Sequence, residues 1–105
     1  MNNVEVDLIL NKFLMEHGIH LEQFGSAEYG LSKSNALDFI KLVRINNRCV
    51  LGIEVWNLIQ NKYVIYSLGG WYCKSTNIIN CYDDAMEFIM TEHFESNALV
   101  TIQFD

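Results

Sequence analysis

Apolar residues recur at three- and four-residue spacing in three segments of the chain, which is the spacing of an amphipathic helix. The first segment runs from Val4 to about His17. Gly18 follows it, and we expect this glycine to end the helix in the left-handed conformation. A loop, IHLEQFG, should lead away from it. The apolar positions of the segment are Val6, Ile9, Leu10, Phe13 and His17.

The second helical segment follows SAEYGLS, a stretch that has room for a short strand. Ser32 or Ser34 can cap the first turn of this helix with its hydroxyl oxygen. Asparagine tolerates positive φ better than most residues, so the helix should end at Asn46 and Asn47. The apolar stripe of the segment is Ala36, Leu37, Ile40 and Val43.

The third helix is predicted to begin at a cap on Asn80 and to run to about Glu95. Its buried stripe should be Ala85, Met86, Ile89 and His93. Asp83 and Asp84 then lie near the positive end of the helix dipole, where carboxylates are stabilising. With Glu87 they form an acidic outer face. Stabilising the helix is the commoner role of such residues, and it is compatible with their use as a docking surface.

Alternation of apolar and polar residues predicts strands in the second half of the chain. RCVLGIEVWNL alternates, and KYVIYSL follows it after IQN, which indicates an antiparallel hairpin with Asn61 left-handed in the turn. Glu54 and Trp56 should lie on the face away from the helices. An exposed tryptophan beside a carboxylate is typical of an interface anchor, unless loops cover this face. The residues expected to face the helices are Leu51, Ile53 and Val55.

A short extension of the sheet and one further strand complete the prediction. WYC should extend the sheet briefly after Gly69-Gly70, and ALVTIQF should form the last strand. In that strand Val100, Ile102 and Phe104 point one way, and Thr101 and Gln103 point the other way. The order α-β-α-β-β-α-β predicts an α+β fold with a small, mainly antiparallel sheet and helices packed on one face. We expect residues 1–105 to form a single domain.

The charge of the chain bears on its partners. Thirteen acidic residues stand against seven basic ones, which gives a formal net charge of −6. The lysines and arginines are dispersed along the sequence, whereas nucleic-acid binding needs them clustered. Direct binding of DNA or RNA is therefore not expected. The same negative field attracts a basic protein and speeds its approach.

Neither a secretion signal nor a membrane span is predicted. The N-terminal stretch lacks a basic region before its apolar run, and no stretch reaches the roughly 18 apolar residues of a membrane span. The expected location is therefore cytoplasmic, where cysteines stay reduced. Cys49, Cys73 and Cys81 are an odd number of thiols, and we expect Cys49 and Cys73 to be buried and free.

No motif for catalysis or metal binding is evident. Cys73 and Cys81 are eight residues apart, too far for the paired ligands of a structural zinc site, so neither a metal nor a cofactor is expected. The chain also lacks a phosphate-binding loop, a nucleophile elbow and a paired-carboxylate motif. A small thiol-dependent enzyme, with a cysteine activated by one of three histidines, is the alternative. The histidines are His17, His20 and His93.

The central segment resembles the immunity protein 40 family of bacterial polymorphic toxin systems. The likeness includes a strand with Leu51-Gly52 and Val55, and a second strand that ends in Trp71-Tyr72-Cys73. The helix that contains DAMEFI, with Ala85 and Phe88-Ile89, continues it. Two positions depart from the family pattern: Lys74 stands where an acidic residue tends to follow the cysteine, and Asn61-Lys62 replaces a glycine turn.

The resemblance implies a small cytoplasmic protein, encoded beside a cognate toxin, that binds and inactivates this toxin without being an enzyme. The toxin is expected to be a protein, and a nuclease would suit the acidic surface because its substrate groove is basic. A self-pairing module that forms a homodimer is a further alternative. The residues predicted to bind the partner are Glu54, Trp56, Trp71, Tyr72, Asp83, Asp84 and Glu87.

Overall fold

The chain folds as an α+β protein with three helices and two antiparallel sheets, which confirms the predicted class. A computed structural model describes residues 2–66, 69–92 and 94–105. None of the helices in these ranges is long and apolar enough to cross a membrane. The elements in chain order are α1 (Asn3–His17), β1 (Ile19–His20), a 3-10 helix (Glu22–Phe24), β2 (Tyr29–Gly30), α2 (Lys33–Ile45), β3 (Val50–Ile59), β4 (Lys62–Ile65), β5 (Trp71–Tyr72), α3 (Ile78–Thr91) and β6 (Leu99–Phe104).

Strand β3 is the centre of the larger sheet. Strand β6 pairs with one of its edges, and β4 and β5 both pair with the other edge. Pairing with β4 ends at Trp56 and Ile65, and pairing with β5 begins at Ile53 and Trp71. Strands β4 and β5 are therefore two pieces of one edge strand, the first ending at Ile65 and the second beginning at Trp71.

The hairpin between β3 and β4 is confirmed, and its turn has two residues. Gln60 and Asn61 both have positive φ, at 51° and 65°. This left-handed pair suits a two-residue turn because its twist matches that of the flanking strands. The predicted role of Asn61 is correct, and Gln60 shares it.

One position at the start of β3 differs from the prediction. Val50 pairs with Phe104 and Gly52 pairs with Gln103, so Leu51 is an extra residue in a β-bulge. The bulge buries Val50 with Ile53 and Val55 and leaves Leu51 47% exposed. The prediction that Leu51 faces the helices is wrong because a bulge breaks the strict alternation.

The main core lies between the three helices and one face of the larger sheet, as predicted. The sheet contributes Val100 and Ile102 from β6, with Phe104 packed at the margin. Helix α2 buries most of its predicted stripe, and Phe39, which the stripe omitted, is fully buried. The buried side chains of the helices are Val6, Leu10, Ala36, Phe39, Ile40, Val43, Cys81, Tyr82, Ala85 and Ile89.

The end of α1 departs from the prediction in two ways. His17 is exposed, and its ring lies against that of Phe13, with the ring centroids 4.5 Å apart. Gly18 is extended rather than left-handed, with φ −98°. A Cβ there would lie 2.7 Å from the Leu14 carbonyl oxygen and 2.9 Å from the Tyr29 Cβ. Close packing against β2, rather than positive φ, therefore explains this glycine. The predicted loop after it contains β1 and the 3-10 helix.

The caps of α2 and α3 set where these helices begin and end, and therefore where the acidic residues lie along α3. Ser32 caps α2, and the predicted end at Asn46 and Asn47 is confirmed, with φ 58° at Asn47. Helix α3 is capped by Asn77 instead of Asn80, since the Asn77 side chain accepts a hydrogen bond from the Ile79 amide. The helix ends at Thr91, before Glu95. The predicted burial of His93 lies outside the described residues.

Candidate partner-binding surface

The sheet face away from the helices is partly covered by the segment 21–29. Leu21, Trp56 and Leu99 form a second, smaller buried cluster there. Trp56 is only 7% exposed, and its indole Nε1 donates a hydrogen bond to the Thr101 Oγ1 at 3.2 Å. The prediction of an exposed Trp56 anchor is wrong because residues distant in sequence fold over the indole. The alternative, in which loops cover this face, is correct for Trp56.

Next to this cluster, two carboxylates share one amide group. The Gln103 Nε2 donates to the Glu54 Oε1 at 3.0 Å and lies 3.2 Å from both carboxylate oxygens of Glu28. Glu54 itself is partly buried, on the face predicted for it. In the described part of the chain, the ion pairs involve other residues, so neither carboxylate has a cation.

This arrangement disfavours ionisation of Glu54. Its burial, and secondly the negative charge of Glu28, raise the pKa of the Glu54 carboxyl group above its ordinary value of 4.5. A carboxyl group whose pKa is raised by folding destabilises the native state once the pH rises through the folded-state pKa. The effect vanishes below the unfolded-state pKa. At neutral pH, the ionised form of Glu54 is therefore less favourable for the folded protein than the protonated form.

We expect Glu54→Gln to raise the melting temperature at pH 7. Glutamine keeps an oxygen for the Gln103 amide and removes the like charge, and such partly solvated charges are worth about 0.5 kcal/mol. For a domain of this size the gain is about 2–4 °C. Thermal unfolding followed by circular dichroism at pH 7 and at pH 3.5 measures it, and the gain should disappear at the lower pH. A fall in melting temperature at pH 7 would contradict this account, and Glu16→Gln on α1 is the matched control.

The two aromatic residues of β5 lie on opposite faces of the sheet. Trp71 pairs with Ile53 and packs against the main core, whereas Tyr72 pairs with Gly52 and is 59% exposed. A Cβ at Gly52 would lie 2.7 Å from the Tyr72 Cδ1 and 3.0 Å from the Gln103 Oε1. The glycine therefore allows the tyrosine ring to lie across β3 beside Gln103.

Three of the predicted partner-binding residues meet at one open cavity. Trp71, Tyr72 and Asp84 line it together with Gly70 and Lys74, and its volume is about 350 Å³. The tyrosine comes from the edge strand and the aspartate from α3. The fold thus brings together two predicted partner-binding residues, Tyr72 and Asp84, that are twelve residues apart in the sequence.

The remaining acidic residues of α3 lie on a second surface. Asp83 and Glu87 are exposed and line a groove of about 320 Å³ between α2 and α3, together with Met86 and Met90. The Asp83 Oδ1 lies 3.7 Å from the Arg44 Nη1. Because α3 begins at Ile78, these carboxylates come after its first turn, which has no acidic residue. Their predicted action on the helix dipole is therefore wrong.

A family comparison supplies the decisive observation for identity. The model of the family described as immunity protein 40 matches residues 20–104, which extend from the end of β1 to the end of β6. The chain belongs to the immunity protein 40 family. The match includes all strands that build the surface described above, and α1 lies before it. No significant match was found among curated proteins or among solved structures.

In this immunity protein 40 family member, two of the three cysteines are paired. Cys73 and Cys81 form a disulfide, with their Cα atoms 5.5 Å apart, which joins the end of β5 to α3. Cys49 is free and partly buried. The prediction of reduced thiols is therefore wrong for two positions, because the fold brings them together. Among the described residues, no group of three or more acidic, histidine or cysteine side chains could hold a metal ion.

Sequence reasoning missed one member of this surface, Glu28. It lies in the segment before α2 that has no clear periodicity, so nothing in the pattern marked it. Gln103 was placed on the correct face, but its role as the shared donor depends on a contact across 75 residues of sequence. The family resemblance did point to Trp71 and Tyr72, which form part of the cavity wall.

Proposed function

We propose that this immunity protein 40 family member binds a cognate toxin protein and neutralises it by covering the toxin's functional surface. Family membership is the observation that carries this proposal. The net charge of −6 supports a basic toxin surface as the binding site. A nuclease is the class of toxin that fits best, since its substrate groove must attract phosphate. The protein itself acts by binding, without catalysis.

The exposed residues of the predicted set divide between two roles. Asp84 and Tyr72 line the cavity at β5 and belong to the contact surface. Asp83 and Glu87 lie on the outer side of α3, where they add to the field that guides the toxin towards the protein. Trp56 has no direct role, because it is buried under the segment 21–29.

An inhibitor of a lethal protein must associate quickly and dissociate slowly. Complementary charge raises the association rate to as much as about 10⁸–10⁹ M⁻¹s⁻¹ at low salt, compared with about 10⁵–10⁶ for neutral surfaces. Differences in affinity among related complexes lie mainly in the dissociation rate, which depends on well-packed contacts at the centre of an interface. Charge thus accounts for fast association, and well-packed contacts at the centre of the interface account for slow dissociation.

Co-expression with the product of the adjacent gene tests the proposal. We expect that product to kill cells when expressed alone, to be harmless when co-expressed, and to co-purify with the tagged protein as a stable complex. The association rate should fall as salt concentration rises, while the dissociation rate changes little. Absence of both toxicity and a complex would contradict the proposal. Size-exclusion mass at several concentrations shows whether the free protein is a monomer or a homodimer.

A further inference from the structure

Part of the larger sheet's outer face has exposed side chains on both pieces of its edge strand. We call this area the open sheet face and define it by Glu28, Glu54, Ile65, Tyr72 and Gln103. Ile65 and Tyr72 lie on the two pieces of the edge strand, opposite Trp56 and Gly52, and are 40% and 59% exposed. Glu54 lies between these two pairs on β3, and it pairs with Thr101 of β6 at the other edge.

The open sheet face contains a charge arrangement that the free protein does not neutralise. Glu28 and Glu54 both accept from the Gln103 Nε2, at 3.2 Å and 3.0 Å. The Gln103 Oε1 beside them is buried and has no hydrogen-bond partner within the described residues. Two carboxylates this close repel each other, and a single neutral amide compensates them only in part.

The two acidic surfaces of α3 described above already have basic residues beside them. Asp83 is paired with Arg44, and the groove it lines also contains Lys41. Asp84 shares its cavity with Lys74. By contrast, the four ion pairs of the described chain leave out both Glu28 and Glu54. The two carboxylates of the open sheet face are therefore available to a cation supplied by a partner.

We propose that the toxin presents an arginine side chain to the open sheet face, where it bridges the carboxylates of Glu28 and Glu54 over the Gln103 amide that joins them. This inference rests on the proposed function and assigns the partner's chemistry at one site. A guanidinium group is planar and has five donors, so one group can bind two carboxylates at once. Its flat face also stacks on an aromatic ring, and Tyr72 presents one at the margin of the site. A lysine ammonium group lacks this bidentate, planar geometry.

An arginine from the toxin would explain why the like charges of Glu28 and Glu54 lie side by side. In the free protein, the two carboxylates oppose each other. In the complex, the same two charges bind a cation within a site that the toxin shields from water, where charge-assisted hydrogen bonds are stronger.

The test measures the affinity and dissociation rate of the purified complex with the adjacent gene's product. Glu54→Gln and Glu28→Gln each remove one charge and keep the side-chain shape. We expect each to weaken binding by about 30-fold or more, mostly through faster dissociation. Tyr72→Ala should weaken it by about 5-fold, through loss of stacking. Replacing each arginine of the toxin by glutamine should identify one whose effect disappears in the Glu54→Gln background.

Two control variants separate this site from a general effect of charge. Glu16→Gln on α1 removes one charge on the helix side of the sheet, and Asp38→Asn removes one exposed charge from α2. Both should change the affinity by less than about 3-fold. The melting temperature of Glu54→Gln at pH 7 should equal or exceed that of the wild type, which excludes loss of binding by unfolding.

The possible results distinguish this inference from the proposed function. A wild-type complex that tolerates Glu54→Gln and Glu28→Gln as well as it tolerates Glu16→Gln overturns the arginine site and leaves the toxin-binding function intact. Coupling of Glu54 to a toxin lysine, or to no basic residue, also overturns it. A wild-type protein that forms no complex and gives no protection overturns both proposals.

Discussion

Replacement of Trp56 by alanine should lower the free energy of unfolding by about 3–5 kcal/mol. The indole fills the centre of the cluster with Leu21 and Leu99, and its removal leaves a cavity under the segment 21–29. The change also removes the donor that bonds to Thr101, whose side chain is fully buried. Urea denaturation followed by far-ultraviolet circular dichroism measures the loss without depending on tryptophan fluorescence.

Trp56→Phe separates packing from partner contact. Phenylalanine keeps most of the apolar volume and loses only the Nε1 hydrogen bond, so we expect a smaller loss of about 1–2 kcal/mol. This variant should remain folded and bind the toxin with unchanged affinity. The opposite pattern, in which Trp56→Ala is as stable as the wild type but binds poorly, would show that the indole is a partner anchor.

Reduction of the Cys73–Cys81 disulfide should lower the free energy of unfolding by about 2–3 kcal/mol. The bond closes a loop with a sequence separation of 8, and a short loop of this kind restricts the unfolded chain less than a long one does. It also holds the end of β5 against α3, next to the cavity lined by Tyr72 and Asp84. Thermal unfolding with and without dithiothreitol measures the effect, and alkylation followed by mass spectrometry counts the free thiols.

The cysteine variants provide the controls for this prediction. Cys49→Ser should retain the sensitivity to dithiothreitol, because Cys49 is the free cysteine. The double variant Cys73→Ser/Cys81→Ser should be insensitive to the reductant and as stable as the reduced wild type. Three alkylated cysteines in the untreated protein would show that the pair is reduced, as the sequence led us to expect. A thiol-dependent enzyme would instead lose its activity when Cys73 is replaced, whereas protection from a toxin should largely survive.

The segment Trp71-Tyr72-Cys73, which carries most of the family resemblance, divides into three roles. Trp71 packs against the main core, Tyr72 is exposed on the other face, and Cys73 joins the strand to α3. Alternation along a strand predicts that the first two residues separate. It does not predict which of them is buried, because that depends on where the helices pack.

Local patterns account for the elements that the sequence predicted correctly. Helix α2 and the hairpin of β3 and β4 follow from residues that are close in sequence: a stripe with a serine cap, and two alternating runs joined by a two-residue turn. Where signals compete over a few residues, the prediction was less accurate. Asn77 and Asn80 are both able to cap α3, and the earlier one does so.

The sequence by itself determined the α+β class, the order of the main elements, the acidic charge and the family resemblance, because periodicity, composition and local motifs carry that information. Only the tertiary structure decided that Trp56 is covered, that Cys73 meets Cys81, and that Glu28 shares the Gln103 amide with Glu54. Each of these results is a contact between elements. Periodicity assigns a residue to a face, but the packing of distant segments decides what lies on that face.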